Sequence, residues 1–242
     1  MKEIIKILSQ VDGGLVLDAA TGRGEFIHTL KQSLKSYSQI IGIDASERSV
    51  DYAQKIFPEN DVEIFRMNLE HIRFEDNYFD LVSISNSLHH LENMDVVLKE
   101  LIRVLKPGGM LLIAEMYCDG EQSPAQETHI LMHHWLAGVD RLSGVYHRST
   151  YTKQELIDIS AKLRLDNINS TDFYIPVDNP AKNCESLVNN CKDTLKRLES
   201  MPGGEALMAE GYNMLSRIAE IGCAGASRLI ITGYKPKGDI QC

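Results

Sequence analysis

The chain has 242 residues, with 25 Lys and Arg against 34 Asp and Glu, a net charge of −9 with His neutral. A hydrophobic fraction of 43% is enough for a sizeable core and excludes intrinsic disorder. The acidic balance argues against a nucleic-acid partner, because binding phosphates needs clustered Lys and Arg.

The opening MKEIIKILSQVDGG is amphipathic, is interrupted by Glu3 and Lys6, and lacks the continuous apolar stretch of a secretory signal. No apolar run approaches the roughly 18–20 residues of a membrane span. Five cysteines without CxxC spacing do not read as a disulfide framework, so the expected compartment is the cytoplasm. Up to residue 117, apolar runs alternate with helical patterns, the mark of a parallel α/β sheet. Strands are expected at Leu15–Ala20, Gln39–Asp44, Val62–Asn68, Phe79–Ser85 and Met110–Met116. Helices are expected near Gly24–Lys35, Ser46–Phe57 and Glu92–Leu105. Ser46 is a good N-cap, Pro58 stops its helix, and Lys106-Pro107-Gly108-Gly109 is a stop-and-turn signal.

The rhythm then changes. Residues 118–149 read as a helical lid insertion rich in His, with Leu131, Trp135, Leu136 and Val139 packing on the sheet edge. Thr152-Lys153-Gln154-Glu155 is a capping box that opens the next helix. A strand is expected at Ile168–Val177. Residues 179–225 read as a second helical insertion, two helices joined at Met201-Pro202-Gly203-Gly204, before a last strand at Arg228–Tyr234. The stripe of Cys184, Leu187, Val188, Cys191, Leu195 and Leu198 is core or a homodimer face. Both insertions are expected to cover a substrate, and residues 1–242 to form a single domain.

The first strand runs into Asp18-Ala19-Ala20-Thr21-Gly22-Arg23-Gly24 and then a helix, the form of a cofactor loop. Glycines there let backbone approach a ligand, and the helix N-terminus favours an anionic group. Ile27 stands where a dinucleotide fingerprint needs Gly or Ala, which disfavours a nicotinamide-dependent oxidoreductase. Asp44 closes the second strand, where an acid can accept both hydroxyls of a ribose. Asn68 and Leu69 follow the third strand, where an amide can meet the rim of an adenine and an apolar side chain its face.

Together with Phe79-Asp80-Leu81-Val82, Leu88-His89-His90-Leu91 and Leu101-Ile102-Arg103-Val104-Leu105-Lys106-Pro107-Gly108-Gly109, these residues resemble the class I S-adenosylmethionine-dependent methyltransferases, small-molecule branch. The resemblance spans roughly Val11 to Met116. It implies a Rossmann-like, doubly wound α/β sheet of seven strands with the last antiparallel. It also implies S-adenosylmethionine as cofactor, held by Asp18, Ala20, Gly22, Gly24, Asp44, Ala45, Asn68, Leu69 and Ser85. Ala20 departs from the family pattern, which has glycine there. Methyl transfer to a small-molecule acceptor is the expected activity. A non-catalytic cofactor-binding module is the alternative.

Candidate catalytic residues are His89, His90, Glu115 and His133, each at or above the carboxyl edge of the sheet. His129 and His133, four apart, share a helix face, a spacing that suits a metal, but the segment lacks the Glu of the H-E-x-x-H pattern, so no metal is expected. Arg148 is expected either to clamp a substrate carboxylate or to pair with a surface acid.

Overall fold

Strand Leu15–Ala19 (β1) shows why the runs are so apolar. Val16 and Leu17 are both fully buried and point to opposite faces, each into its own core. In this computed structural model residues 2–174, 179–180 and 184–238 are described. β2 (Gln39–Asp44), β3 (Val62–Arg66), β4 (Phe79–Ser85), β5 (Leu105–Met116), β6 (Asp166–Phe173) and β7 (Arg228–Tyr234) complete one sheet. The order is β3-β2-β1-β4-β5-β7-β6, with β7 antiparallel to both its neighbours. This is the expected seven-stranded, doubly wound arrangement.

Helices cover both faces. α1 (Lys2–Leu8), α2 (Glu25–Ser33) and α3 (Glu47–Ile56) pack on one through Ile4, Leu8, Ile27, Leu30 and Val50. α4 (Met94–Val104) and α6 (Lys153–Ala161) pack on the other through Val97, Leu98, Leu101 and Leu156. The Ser46 hydroxyl accepts from Ser49 N–H, and Thr152 with Glu155 forms the reciprocal capping box.

Two strands differ from expectation. β5 begins at Leu105, because Lys106–Gly109 does not leave the sheet. Gly108 N–H donates to the Lys235 carbonyl at 2.7 Å, and Lys235 N–H donates to the Gly109 carbonyl at 3.0 Å. β6 starts at Asp166 and is mostly exposed, as an edge strand is. Its polar sequence carries no burial pattern. The expected end of that strand, Ile175–Val177, lies outside the described residues.

α5 (Pro124–Leu142), α7 (Glu185–Leu198) and α8 (Glu205–Ile221) build a third core. Trp135 and Val139 sit in it instead of on the sheet edge, with the Trp135 indole N–H donating to the Leu207 carbonyl at 2.8 Å. Leu131 is exposed. The stripe of α7 is therefore used within the chain. Cys184 is joined to Cys223, with Cα atoms 5.8 Å apart, which corrects its reading as a plain buried hydrophobe. Among the described residues, no helix is long and apolar enough to cross a membrane.

Candidate active site

A cavity of about 1050 Å³ opens at the carboxyl ends of β1, β2 and β4. That is the upper end of the range for small-molecule sites and leaves room for a cofactor beside a second molecule. Asp18, Ala20, Gly22, Asp44, Ala45, Asn68, Leu69 and Ser85 line it, as the sequence led one to expect. Gly24 does not. Its φ is +88°, and a Cβ there would run into the Phe57 ring, so this glycine serves the turn and the packing of α2.

The loop is held from below and from the side. Asp18, 1% exposed, accepts from the hydroxyls of Thr21 at 2.6 Å and Ser83 at 2.8 Å. Ala20 is left-handed at φ +53°, a conformation that costs an L-residue roughly 1–2 kcal/mol. The loop thus keeps the backbone shape of the missing glycine at the expense of strain. Gly22, at φ +55°, has open cavity where its Cβ would stand. Its N–H donates to Asp44 Oδ2 at 2.8 Å, and Ser46 N–H donates to Asp44 Oδ1 at 2.8 Å. Each Asp44 oxygen keeps an unused lone pair. The loop is not the open anion cradle expected from its glycines. Thr21 N–H goes to the Ile43 carbonyl, Gly24 N–H to the Thr21 carbonyl and Gly22 N–H to Asp44.

Burial pushes the Asp18 carboxyl up to about 6, and the two hydroxyl donors only partly oppose it. The folded chain then holds more protons than the unfolded one between about pH 4 and 6, so this residue's contribution to stability falls as pH rises through that window. By that linkage, Asp18→Asn gains up to about 3 kcal/mol relative to wild type from pH 4 to pH 7. Urea midpoints across the range check this, and parallel profiles for the two proteins contradict it.

Asn68 does two things. Its Oδ1 accepts from Glu70 N–H at 2.9 Å, which fixes the turn after β3, while its NH2 stays on the cavity wall. Leu69 beside it is buried and apolar.

The four candidate catalytic residues separate. Of these four only His90 lines the cavity; desolvation and the neighbouring His89 and His147 rings lower its affinity for a proton. Glu115 is fully buried behind the wall. Its Oε2 accepts from the N–H groups of Ser87 and Leu88, both at 2.9 Å, and its Oε1 from His89 Nδ1 at 2.8 Å. It caps the short 3-10 turn Leu88–His90 and meets no open space. His89, 1% exposed, faces Glu115 and not the cavity. His133 on α5 lies behind His89, with ring centroids 5.7 Å apart, and does not reach the cavity either. His129 accepts from Ala226 N–H at 3.1 Å. Arg148 pairs with Glu155 at 3.2 Å and lies over the Tyr151 ring.

Most of the lining residues fall within one segment of the chain. Residues 17–113 match the methyltransferase domain family. That match covers 97 of the 242 residues. Demethylmenaquinone methyltransferase of Staphylococcus aureus (strain MRSA252) is 33% identical over 115 residues, 47% of this chain and 48% of that protein. The chain thus aligns with about half the length of the curated relatives it matches. Among solved structures, a putative methyltransferase from Bacillus halodurans C-125 superposes with a TM-score of 0.60 at 18% identity, covering 97% of this chain and 98% of that one. Phosphoethanolamine N-methyltransferase 2 of Haemonchus contortus, solved with S-adenosyl-L-methionine, gives 0.57 at 18% identity, covering 97% and 52%.

The matched segment does not make the whole wall. Val145, Tyr146 and Arg228 close it from outside residues 17–113, and none of the described residues of α5, α7 or α8 lines it. From the first insertion it is thus the segment after α5, with Val145 and Tyr146, and not the described helices, that reaches the cavity. Arg228 is the one Lys or Arg among the described lining residues, which also include Glu25, Glu70 and Glu92. Burial lowers the affinity of its guanidinium for its proton, while Glu115 opposes that. The sequence reading missed it. The signal was there: β7 runs antiparallel, so its first residue stands at the carboxyl edge of the parallel strands.

Proposed function

We propose that the chain transfers the methyl group of S-adenosylmethionine to a small-molecule acceptor. The observation that carries this is Asp44, whose carboxylate sits on the cavity wall with both oxygens bonded to backbone N–H groups and a lone pair left on each. Two neighbouring hydroxyls are its natural complement. Ala45, the Asn68 amide and Leu69 line the wall next to it and suit a purine. Asp18, Ala20, Gly22 and Ser85 border the rest of the cofactor's length, and the missing Cβ of Gly22 leaves room for it.

When bound, the cofactor supplies a methyl group already activated by a sulfonium. The chain's own work is alignment of the acceptor and exclusion of water. Leu91, Val97, Val145 and Tyr146 offer an apolar surface for that purpose. Arg228 offers a charge to an anionic group. The demethylmenaquinone enzymes match only half their length, so their substrate is not carried over.

The test is to incubate the chain with deuteromethyl cofactor and a small-molecule extract, followed by mass spectrometry. Labelled product and S-adenosylhomocysteine in equal amounts are expected. Binding of the cofactor without any labelled product would leave a non-catalytic module instead.

A further inference from the structure

Three histidines meet beside the cavity, and of them His90 lines it. His89 and His90 come from the turn after β4, and His147 comes from the segment after α5. Ring centroids are 4.3 Å apart for His89 and His90, 4.0 Å for His90 and His147, and 5.4 Å for His89 and His147. One ligand nitrogen from each lies within 4.8 Å of the other two. One backbone bond joins the two segments, and a side-chain bond holds the second to α5. Arg148 N–H donates to the His89 carbonyl at 3.0 Å, and the Arg141 guanidinium donates to the His147 carbonyl at 2.6 Å.

The hydrogen bonds fix which nitrogen each buried ring presents. His89 Nδ1 is bonded to Glu115 at 2.8 Å, and His147 Nδ1 to Asp140 at 2.8 Å. An ionised carboxylate only accepts, so in both rings Nδ1 carries the proton and Nε2 carries the lone pair. Both Nε2 atoms are buried and have no hydrogen-bond partner among the described residues. His133 Nδ1, behind His89, is buried and unpartnered as well. Each such atom costs roughly 1–3 kcal/mol if nothing meets it. Several in one cluster, two of them backed by carboxylates, is the arrangement by which proteins orient histidine ligands.

We propose that His89 Nε2, His147 Nε2 and a ring nitrogen of His90 bind one divalent transition-metal ion, zinc by geometry, with an open coordination position toward the cavity. Zinc–nitrogen bonds of 2.0–2.1 Å place tetrahedral ligands about 3.3 Å apart, so the rings close inward by roughly an ångström on binding. Three histidines and one open position make a catalytic type of site and not a closed structural one. An oxygen or sulfur donor of a second ligand in the cavity would take that position. The carboxylates of Glu115 and Asp140 offset the charge of the ion from behind. Metal binding is independent of the methyl-transfer reading and is read without it.

The test uses the untagged full chain, stripped with a chelator and titrated with Co²⁺ followed by visible absorption, then with Zn²⁺ in competition. One Co²⁺ per chain is expected, with the intense visible bands of a low-coordinate site, displaced by one Zn²⁺. His147→Ala abolishes the bands. His90→Ala, at the cavity surface where folding is least at stake, weakens binding at least tenfold. Asp140→Asn weakens it about 10–100-fold, as expected for a carboxylate behind a ligating His. Absence of stoichiometric uptake of either ion overturns the proposal, as does uptake that survives both histidine substitutions.

Discussion

Asp44→Ala weakens binding of S-adenosylhomocysteine by about 100-fold or more in a calorimetric titration. The carboxylate is offered to a ligand while it also holds Gly22 and Ser46 in place. Charge-assisted hydrogen bonds contribute about 1.5–3 kcal/mol each, so losing two of them costs at least about 3 kcal/mol, or a factor of 100 in Kd. Asp44→Asn keeps one carbonyl acceptor and falls between the two. Unchanged circular dichroism in both variants shows that the loss belongs to the site.

Glu115→Ala destabilises the fold by about 3–5 kcal/mol, because three buried donors lose one acceptor group. Those donors are Ser87 N–H, Leu88 N–H and His89 Nδ1. For a domain of this size the melting temperature falls by roughly 10 °C. Glu115→Gln keeps a carbonyl for Ser87 and Leu88 but turns an NH2 toward His89. That reverses the His89 tautomer and removes the lone pair from Nε2. Thermal melts check the first variant, and Co²⁺ uptake checks the second. A general base at this position would behave oppositely, losing turnover with an unchanged melting temperature.

The cofactor half was legible because its signals are local. Continuous apolar runs mark strands buried on both faces, and Ser46 and Thr152 announce their helices within four residues. Asp18 and Asp44 stand at the carboxyl ends of β1 and β2, and Asn68 two residues past β3, so strand placement alone brings them to one edge. What was not legible depends on long-range closure. His147 lies 57 residues beyond His90 in a segment with no regular structure, and nothing in its neighbourhood signals that Arg148 N–H ties that segment to the turn or that Arg141 ties it to α5. The His129–His133 pair had the better helical spacing, yet the chain uses His129 to accept from Ala226. Glu115 looked available at a strand end. The turn after β4 folds back over it and takes both of its oxygens. The apolar face of α5 fits a sheet edge as well as it fits α7 and α8, and periodicity does not distinguish the two.

The most direct measurement is calorimetric titration of the wild-type chain with S-adenosylmethionine and with S-adenosylhomocysteine, using NADH as the control. One site per chain, micromolar binding of both sulfur ligands and no heat with NADH are expected. No heat with either sulfur ligand, or equal heats for wild type and Asp44→Ala, would contradict the assignment of the cavity.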